Sequence, residues 1–145
     1  MSNPVLAEGE RAPAFTLPST NGDRFRFTDH RGRWMVVFFY GNNRTSGARN
    51  AVSEYQKALA RFKEMDVIVV GLSPDSLDCH RKLAAQSQLD FPLLADRDAK
   101  VATKYGAWRL RKNGGREYYG IVRSTIVVDP SGKIGIAKRL VGQPF

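Results

Sequence analysis

The residues best suited to bind a ligand surround one short loop. The run Gly41–Gly47 is rich in turn-forming Gly and Asn, and it separates an apolar segment from one with helical periodicity. Backbone N–H groups and the dipole at the start of a helix favour a bound anion, and Arg side chains add charge-assisted hydrogen bonds. The sequence therefore predicts a small-anion pocket where the following residues converge: Tyr40, Arg44, Thr45, Arg49 and Arg123.

The same residues also have a purely structural interpretation. Thr45 can cap the helix that follows the loop, because its hydroxyl accepts from unpaired N–H groups of the first turn. Arg123 can hydrogen-bond loop carbonyl groups, and Arg44 and Arg49 can simply be solvated. Composition and spacing leave both interpretations open.

The chain has one cysteine, Cys79, which excludes an internal disulfide and any multi-cysteine metal site. Its neighbour His80 and a nearby helix start make Cys79 a candidate nucleophile, although a lone cysteine is usually an inert packing residue. We expect His30 and His80 to be surface or capping residues, because two histidines without acidic partners at ligand spacing do not form a metal site. No cofactor and no metal are predicted.

The elements that position these residues follow from hydrophobic periodicity. Trp34–Tyr40 is an uncharged apolar run that predicts a strand buried on both faces, and residues 48–66 repeat apolar side chains at helical spacing. The other predicted strands are Phe15–Leu17, Arg24–Phe27, Val67–Leu72, Phe91–Leu94, Tyr118–Val122, Ser124–Val128 and Lys133–Leu140. A second helix is expected from Ser73–Ser76 to about Gln86, a third from Asp96 or Asp98 to Tyr105, and a mobile basic loop over 109–117.

This order predicts an α/β fold with a central mixed sheet and helices on both faces. A length of 145 residues suits a single domain spanning 1–145, and we expect a cytoplasmic protein because no run is long and apolar enough to span a membrane. The net charge of +9 raises nucleic acid as a partner, but the basic residues are spread along the chain without a dense tract, which argues against it.

Several short motifs resemble those of the peroxiredoxin (AhpC/TSA) family, and most closely its bacterioferritin-comigratory-protein or PrxQ branch. They are Phe39-Tyr40, Thr45-x-Gly47, Gly71–Ser76, His80, Phe91–Asp96, Tyr105-Gly106, Arg123–Thr125 and Asp129-x-x-Gly132. The resemblance covers about residues 9–140 and implies a thioredoxin-like fold. The resemblance also implies a C-terminal helix that covers the sheet. We expect this helix to be missing, because the chain stops at Phe145. The sheet surface left exposed could then be covered by a second copy of the chain in a homodimer.

In that family a peroxidatic cysteine opens the first helix, while a Thr and an Arg hold the peroxide. Thr45 and Arg123 match these two residues, but position 48, where the resemblance places the cysteine, is Ala48. Gly41, Ser46 and Ala51 also depart from the family pattern, and the positions of resolving cysteines hold Ser53 and Ala84. The chain is therefore expected to be inactive as a cysteine peroxidase.

Two functions follow from this reading. The leading one is a binding or interaction module for a small anionic or peroxide-like ligand at the Thr45/Arg123 pocket, with Gly47 among the binding residues and Ala48 at the position of the missing cysteine. The alternative is a thioredoxin-linked hydroperoxide reductase in which Cys was changed to Ala, so that a thioredoxin-type reductant would act only if the cysteine were restored. An enzyme without a cysteine is a third class, but the sequence offers it no general base.

Overall fold

The computed structural model describes residues 7–22, 24–41 and 46–139. Its strands are β1 (Thr16–Pro18), β2 (Arg24–Arg26), β3 (Met35–Phe39), β4 (Ile68–Ser73), β5 (Leu93–Ala95), β6 (Trp108–Asn113), β7 (Arg116–Ile121), β8 (Ser124–Val128) and β9 (Ile134–Arg139). Its helices are α1 (Ser46–Glu64), α2 (Leu77–Gln86) and α3 (Lys100–Lys104), and a 3-10 turn spans Phe27–His30. The expectation about a C-terminal helix falls on residues 140–145, which lie outside the described residues.

A five-stranded mixed sheet forms the centre, in the order β5-β4-β3-β8-β9. β3 is the middle strand; it pairs in parallel with β4 and antiparallel with β8, so that Val37 lies opposite both Val70 and Ile126. Two antiparallel hairpins, β1-β2 and β6-β7, stand beside this sheet. The predicted mixed sheet and its antiparallel β8-β9 edge are confirmed.

Helices cover both faces, as predicted, because alternate residues of β3 point to opposite sides. Val36 and Phe38 join a core with residues of α1 and α2, including Val52 and Leu83. Met35, Val37 and Phe39 join a second core with α3 and the β1-β2 hairpin. All five residues of β3 are buried, which explains its uncharged apolar sequence.

The basic segment 109–117, which we predicted to be a mobile loop, instead belongs to the β6-β7 hairpin. Trp108 pairs with Ile121 at the base of the hairpin, and both side chains pack on the core beside α3. The turn consists of Gly114 and Gly115 with φ angles of 59° and 82°. Two central residues with positive φ are typical of a tight hairpin turn that glycine accommodates well, so the Gly-Gly pair was the signal that the prediction missed.

Three element ends also differ from the sequence prediction. Trp34 lies outside β3 with 44% of its surface exposed, so the buried strand begins one residue later. The cap of α2 is Ser76, whose hydroxyl accepts from the Cys79 N–H, whereas Ser73 ends β4. The N-cap position of α3 is Ala99, but of the two proposed capping residues it is Asp96 whose carboxylate accepts from N–H groups of the first turn, those of Val101 and Ala102.

Candidate functional site

Three chain segments meet at one edge of the sheet, where β3 and β4 end and β8 begins. Phe39, the last residue of β3, lies opposite Leu72 of β4 and Ser124 of β8. The chain leaves this edge toward α1 and α2, and it enters β8 through Arg123. The carboxyl ends of parallel strands in open α/β sheets are where ligands usually bind, so this edge is the candidate site.

The first turn of α1 contains two of the predicted site residues, Gly47 and Ala48. Ala48 is completely buried and packs with Val52 in the core beneath α1 and α2. Arg123 reaches this turn from the other side, and its guanidinium nitrogen donates to the Gly47 carbonyl oxygen at 2.7 Å. The structure thus brings Arg123, Gly47 and Ala48 together although Arg123 and Gly47 are 76 positions apart in the sequence.

The remaining predicted site residues have different positions. Arg49 is exposed on α1, whereas Arg44 and Thr45 lie outside the described residues. Tyr40 follows β3 and has no exposed surface, because its side chain enters the core between α1 and α2. Its hydroxyl contacts a side chain of α2.

That side chain is His80, and its placement corrects the expectation of a surface or capping residue. His80 has no exposed surface, and its Nδ1 lies 2.7 Å from the Tyr40 hydroxyl. Its Nε2 lies 3.3 Å from the Ser73 carbonyl oxygen at the end of β4. The missed signal was helical spacing: His80 and Leu83 are three residues apart and form the buried face of α2.

Burial determines the protonation states of this pair. Burial is the main reason that the pKa of Tyr40 lies well above its ordinary value, so its hydroxyl keeps its proton and donates to Nδ1. Burial also lowers the pKa of His80, although the Ser73 carbonyl and the charge of Asp75 oppose this shift. Because a carbonyl oxygen only accepts, Nε2 carries the proton of a neutral imidazole. Tyr40 and His80 therefore connect the end of β3 to the first half of α2.

Cys79 occupies the first turn of α2, next to this network, and its thiol is free and exposed. Cys79 lies at the same edge of the sheet as Ala48, but on α2 instead of α1. His30, in contrast, is partly exposed, and its ring stacks on Phe25 with centroids 4.6 Å apart. Within the described residues, no three His, Cys, Asp or Glu side chains form a group that could hold a metal ion.

A cavity of about 360 Å³ opens between α1 and the β8-β9 edge, next to Arg123. Its walls are formed by Phe38, Phe39, Ala51, Glu54, Tyr55, Arg123, Ser124, Thr125 and Lys138. Tyr55 and Lys138 were not among the predicted site residues. Neither residue carries a local signal of a binding site, because the cavity exists only once α1 packs across β8.

Comparison with known proteins identifies the family. The model of the AhpC/TSA family matches residues 9–136. Peroxiredoxin Bcp of Bacillus subtilis is 34% identical over 126 residues, which cover 87% of this chain and 80% of that protein. Peroxiredoxin Bcp of Escherichia coli K12 is 33% identical over 132 residues, covering 91% of this chain and 84% of the relative.

Solved structures agree with this sequence match. A cysteine-to-serine variant of PrxQ from Xylella fastidiosa superposes with a TM-score of 0.87 at 25% identity, covering 97% of this chain and 90% of that chain. The bacterioferritin comigratory protein of Xanthomonas campestris superposes with a TM-score of 0.84 at 26% identity, covering 92% and 87%. The thioredoxin-like fold inferred from the motifs is confirmed. The chain therefore belongs to the AhpC/TSA family of peroxiredoxins, in its Bcp/PrxQ branch.

Proposed function

We propose that this chain does not reduce peroxides by the thiol mechanism of its family and instead binds a small anionic or peroxide-like ligand beside the first turn of α1. The observation that carries the proposal is the identity and burial of Ala48, which is completely buried below the Arg123–Gly47 contact. The resemblance to the family places the reactive cysteine at this position.

The chemistry of the reaction explains why alanine is decisive. A thiolate attacks the O–O bond, its sulfur becomes a sulfenate, and the other oxygen leaves with the electron pair of the broken bond. A methyl group has no lone pair with which to begin this step. Cys79 has an exposed thiol, but it belongs to α2, whereas the guanidinium that contacts Gly47 lies at α1.

The binding part of the proposal rests on what remains at the edge of the sheet. Arg123 brings a fixed positive charge to the start of α1, where the helix dipole also favours an anion. Such a site needs no sulfur, because it recognises charge and does not transfer electrons.

A peroxide-consumption assay with dithiothreitol or thioredoxin as reductant tests the catalytic part. The unmodified chain and its Cys79→Ser variant should both consume hydrogen peroxide and an alkyl hydroperoxide no faster than buffer. Turnover by the unmodified chain that disappears in Cys79→Ser would refute the proposal. Titration calorimetry with phosphate and acetate tests the binding part.

One observation favours the alternative, a thioredoxin-linked hydroperoxide reductase seen as a Cys-to-Ala variant. Arg123 still contacts the first turn of α1, as a peroxide-binding site would require. The Ala48→Cys variant decides between the two. Rapid turnover by that variant would support the alternative, whereas an inert but folded variant would indicate that the site has diverged from peroxidase chemistry.

A further inference from the structure

We propose that the ligand of this site is an amphiphilic carboxylate, with its hydrocarbon part in the cavity between α1 and β8 and its carboxylate between Arg123 and Lys138. The inference rests on the proposed binding function and specifies the chemical class of the ligand. It depends on three features of the cavity: its size, its apolar wall and the charges at its rim.

The size limits the ligand to a small molecule. The cavity holds about 360 Å³. A group the size of a water molecule occupies about 30 Å³, so this volume accommodates roughly twelve non-hydrogen atoms. A medium-chain carboxylate such as octanoate has a suitable size, whereas a folded protein segment or a nucleotide does not.

The inner wall of the cavity is apolar and flat. The rings of Phe38 and Tyr55 stack with their centroids 4.0 Å apart and their planes 12° apart, and Ala51 adds only a methyl group beside them. The polar end of Tyr55 hydrogen-bonds to the Thr125 hydroxyl, so this polar group does not need a partner from the ligand. A hydrocarbon chain fits such a wall, since buried polar groups without partners would be costly there.

The charges along the cavity favour an anionic head group. Arg123 is partly buried and Lys138 is exposed, and both line the cavity. Among the described residues of the lining, Glu54 is the one acidic side chain, and it pairs with Lys57 at 3.3 Å. The net charge of the rim is therefore positive, and an ion placed near exposed Lys138 would stay in contact with water. A carboxylate also suits the planar guanidinium of Arg123.

Titration calorimetry with octanoate, octanol and acetate tests the inference. We expect octanoate to bind at least about tenfold more tightly than acetate, because burial of its additional methylene groups is favourable. We also expect octanoate to bind at least about tenfold more tightly than octanol, because octanol lacks the charge. Raising the salt concentration should weaken octanoate binding, since part of the attraction is between exposed charges.

Two variants and one matched control locate the site. Ala51→Leu should abolish the preference for octanoate over acetate, because the larger side chain fills the space that the hydrocarbon part would occupy. Lys138→Glu should weaken octanoate binding at least about fivefold by reversing one rim charge. Lys63→Glu makes the same charge change in the last turn of α1, away from the cavity, and should have little effect. Thermal unfolding verifies that each variant is folded.

The outcomes separate this inference from the proposed function on which it rests. Equal binding of octanoate and acetate would overturn the inference and leave the anion site intact. Equal binding of octanol and octanoate, or equal effects of Lys138→Glu and Lys63→Glu, would also overturn it. If no anion binds at all, both the inference and the proposed binding function fail.

Discussion

Two helices begin at the same edge of the central sheet, and their first turns differ in chemistry. The first turn of α1 holds Gly47 and Ala48, with the Arg123 guanidinium donating to the Gly47 carbonyl oxygen. The first turn of α2 holds the exposed thiol of Cys79. Buried His80 follows it and hydrogen-bonds to Tyr40. The positive charge is thus placed at one helix start, and the sulfur is placed at the other.

This difference shows that the fold can position the charged residue of a site independently of its reactive residue. The fold still positions Arg123 against α1, because β8 pairs with β3 and delivers the residue to that edge. Nothing in this pairing depends on the side chain at position 48. A protein of this family can therefore keep the contact between Arg123 and the first turn of α1 while position 48 is an alanine.

The largest effect is expected from variants that test whether the Tyr40–His80 hydrogen bond anchors α2 to the end of β3. Tyr40→Phe and His80→Leu should each lower the free energy of unfolding by about 1–3 kcal/mol, because each breaks the buried hydrogen bond between the Tyr40 hydroxyl and His80 Nδ1. The double variant should lose less than the sum of the single losses, since it removes both polar groups. Urea unfolding of the three variants measures the coupling.

Tyr105→Phe is the matched control for this cycle. Tyr105 is also buried, and its hydroxyl donates to the Pro13 carbonyl oxygen at 2.6 Å, on the opposite face of the sheet. We expect a loss of about 1 kcal/mol that adds to the loss in His80→Leu without coupling. Additive losses for Tyr40→Phe and His80→Leu would mean that the contact does not anchor α2.

A smaller effect is expected from the cap of α2. The Ser76 hydroxyl accepts from the Cys79 N–H at 3.2 Å, so Ser76→Ala should destabilise the protein by about 1 kcal/mol. Ser76→Asp should keep most of the stability, because a carboxylate also caps a helix and suits its dipole. Thermal unfolding compares the two variants. No loss in Ser76→Ala would show that the start of α2 depends on His80 and not on its cap.

The sequence was sufficient for most of the fold because its main elements have strong local signals. The uncharged run before Gly41 predicted β3, and the apolar period after Ala48 predicted α1. The β6-β7 hairpin was missed because its charged residues suggested a loop, whereas its stability comes from Trp108 and Ile121 packing on a distant core. That packing is a tertiary effect, which local composition does not encode.

The candidate site was predictable only in part. Motif resemblance placed Arg123 near Gly47 and Ala48, and the structure brings these three together. Burial of His80 could have been inferred from its spacing to Leu83, but its partner Tyr40 could not, because the two residues are 40 positions apart. The cavity had no sequence signal, since its walls come from α1, β3, β8 and β9.

The smallest expected effect is a pH dependence that distinguishes the two histidines of the chain. Burial lowers the pKa of His80, so the unfolded chain takes up a proton at a higher pH than the folded protein does. Stability should therefore fall as the pH decreases through the ordinary histidine value of 6.5, and this loss should be absent well above that value. Burial also lowers the pKa of His30, but that ring is partly exposed and the charge of Asp29 opposes the shift.

Urea unfolding between about pH 7.5 and 5.5 measures this dependence in the range where histidines titrate. Asp96 has a pKa raised by burial and acts in the opposite sense, but only in more acidic solution, nearer the ordinary carboxyl range. In this window His80→Leu should flatten the profile, because it removes the titrating group, whereas His30→Gln should keep most of the slope. A profile that flattens in His30→Gln and not in His80→Leu would place the pH-sensitive group at the β1-β2 hairpin instead of at the start of α2.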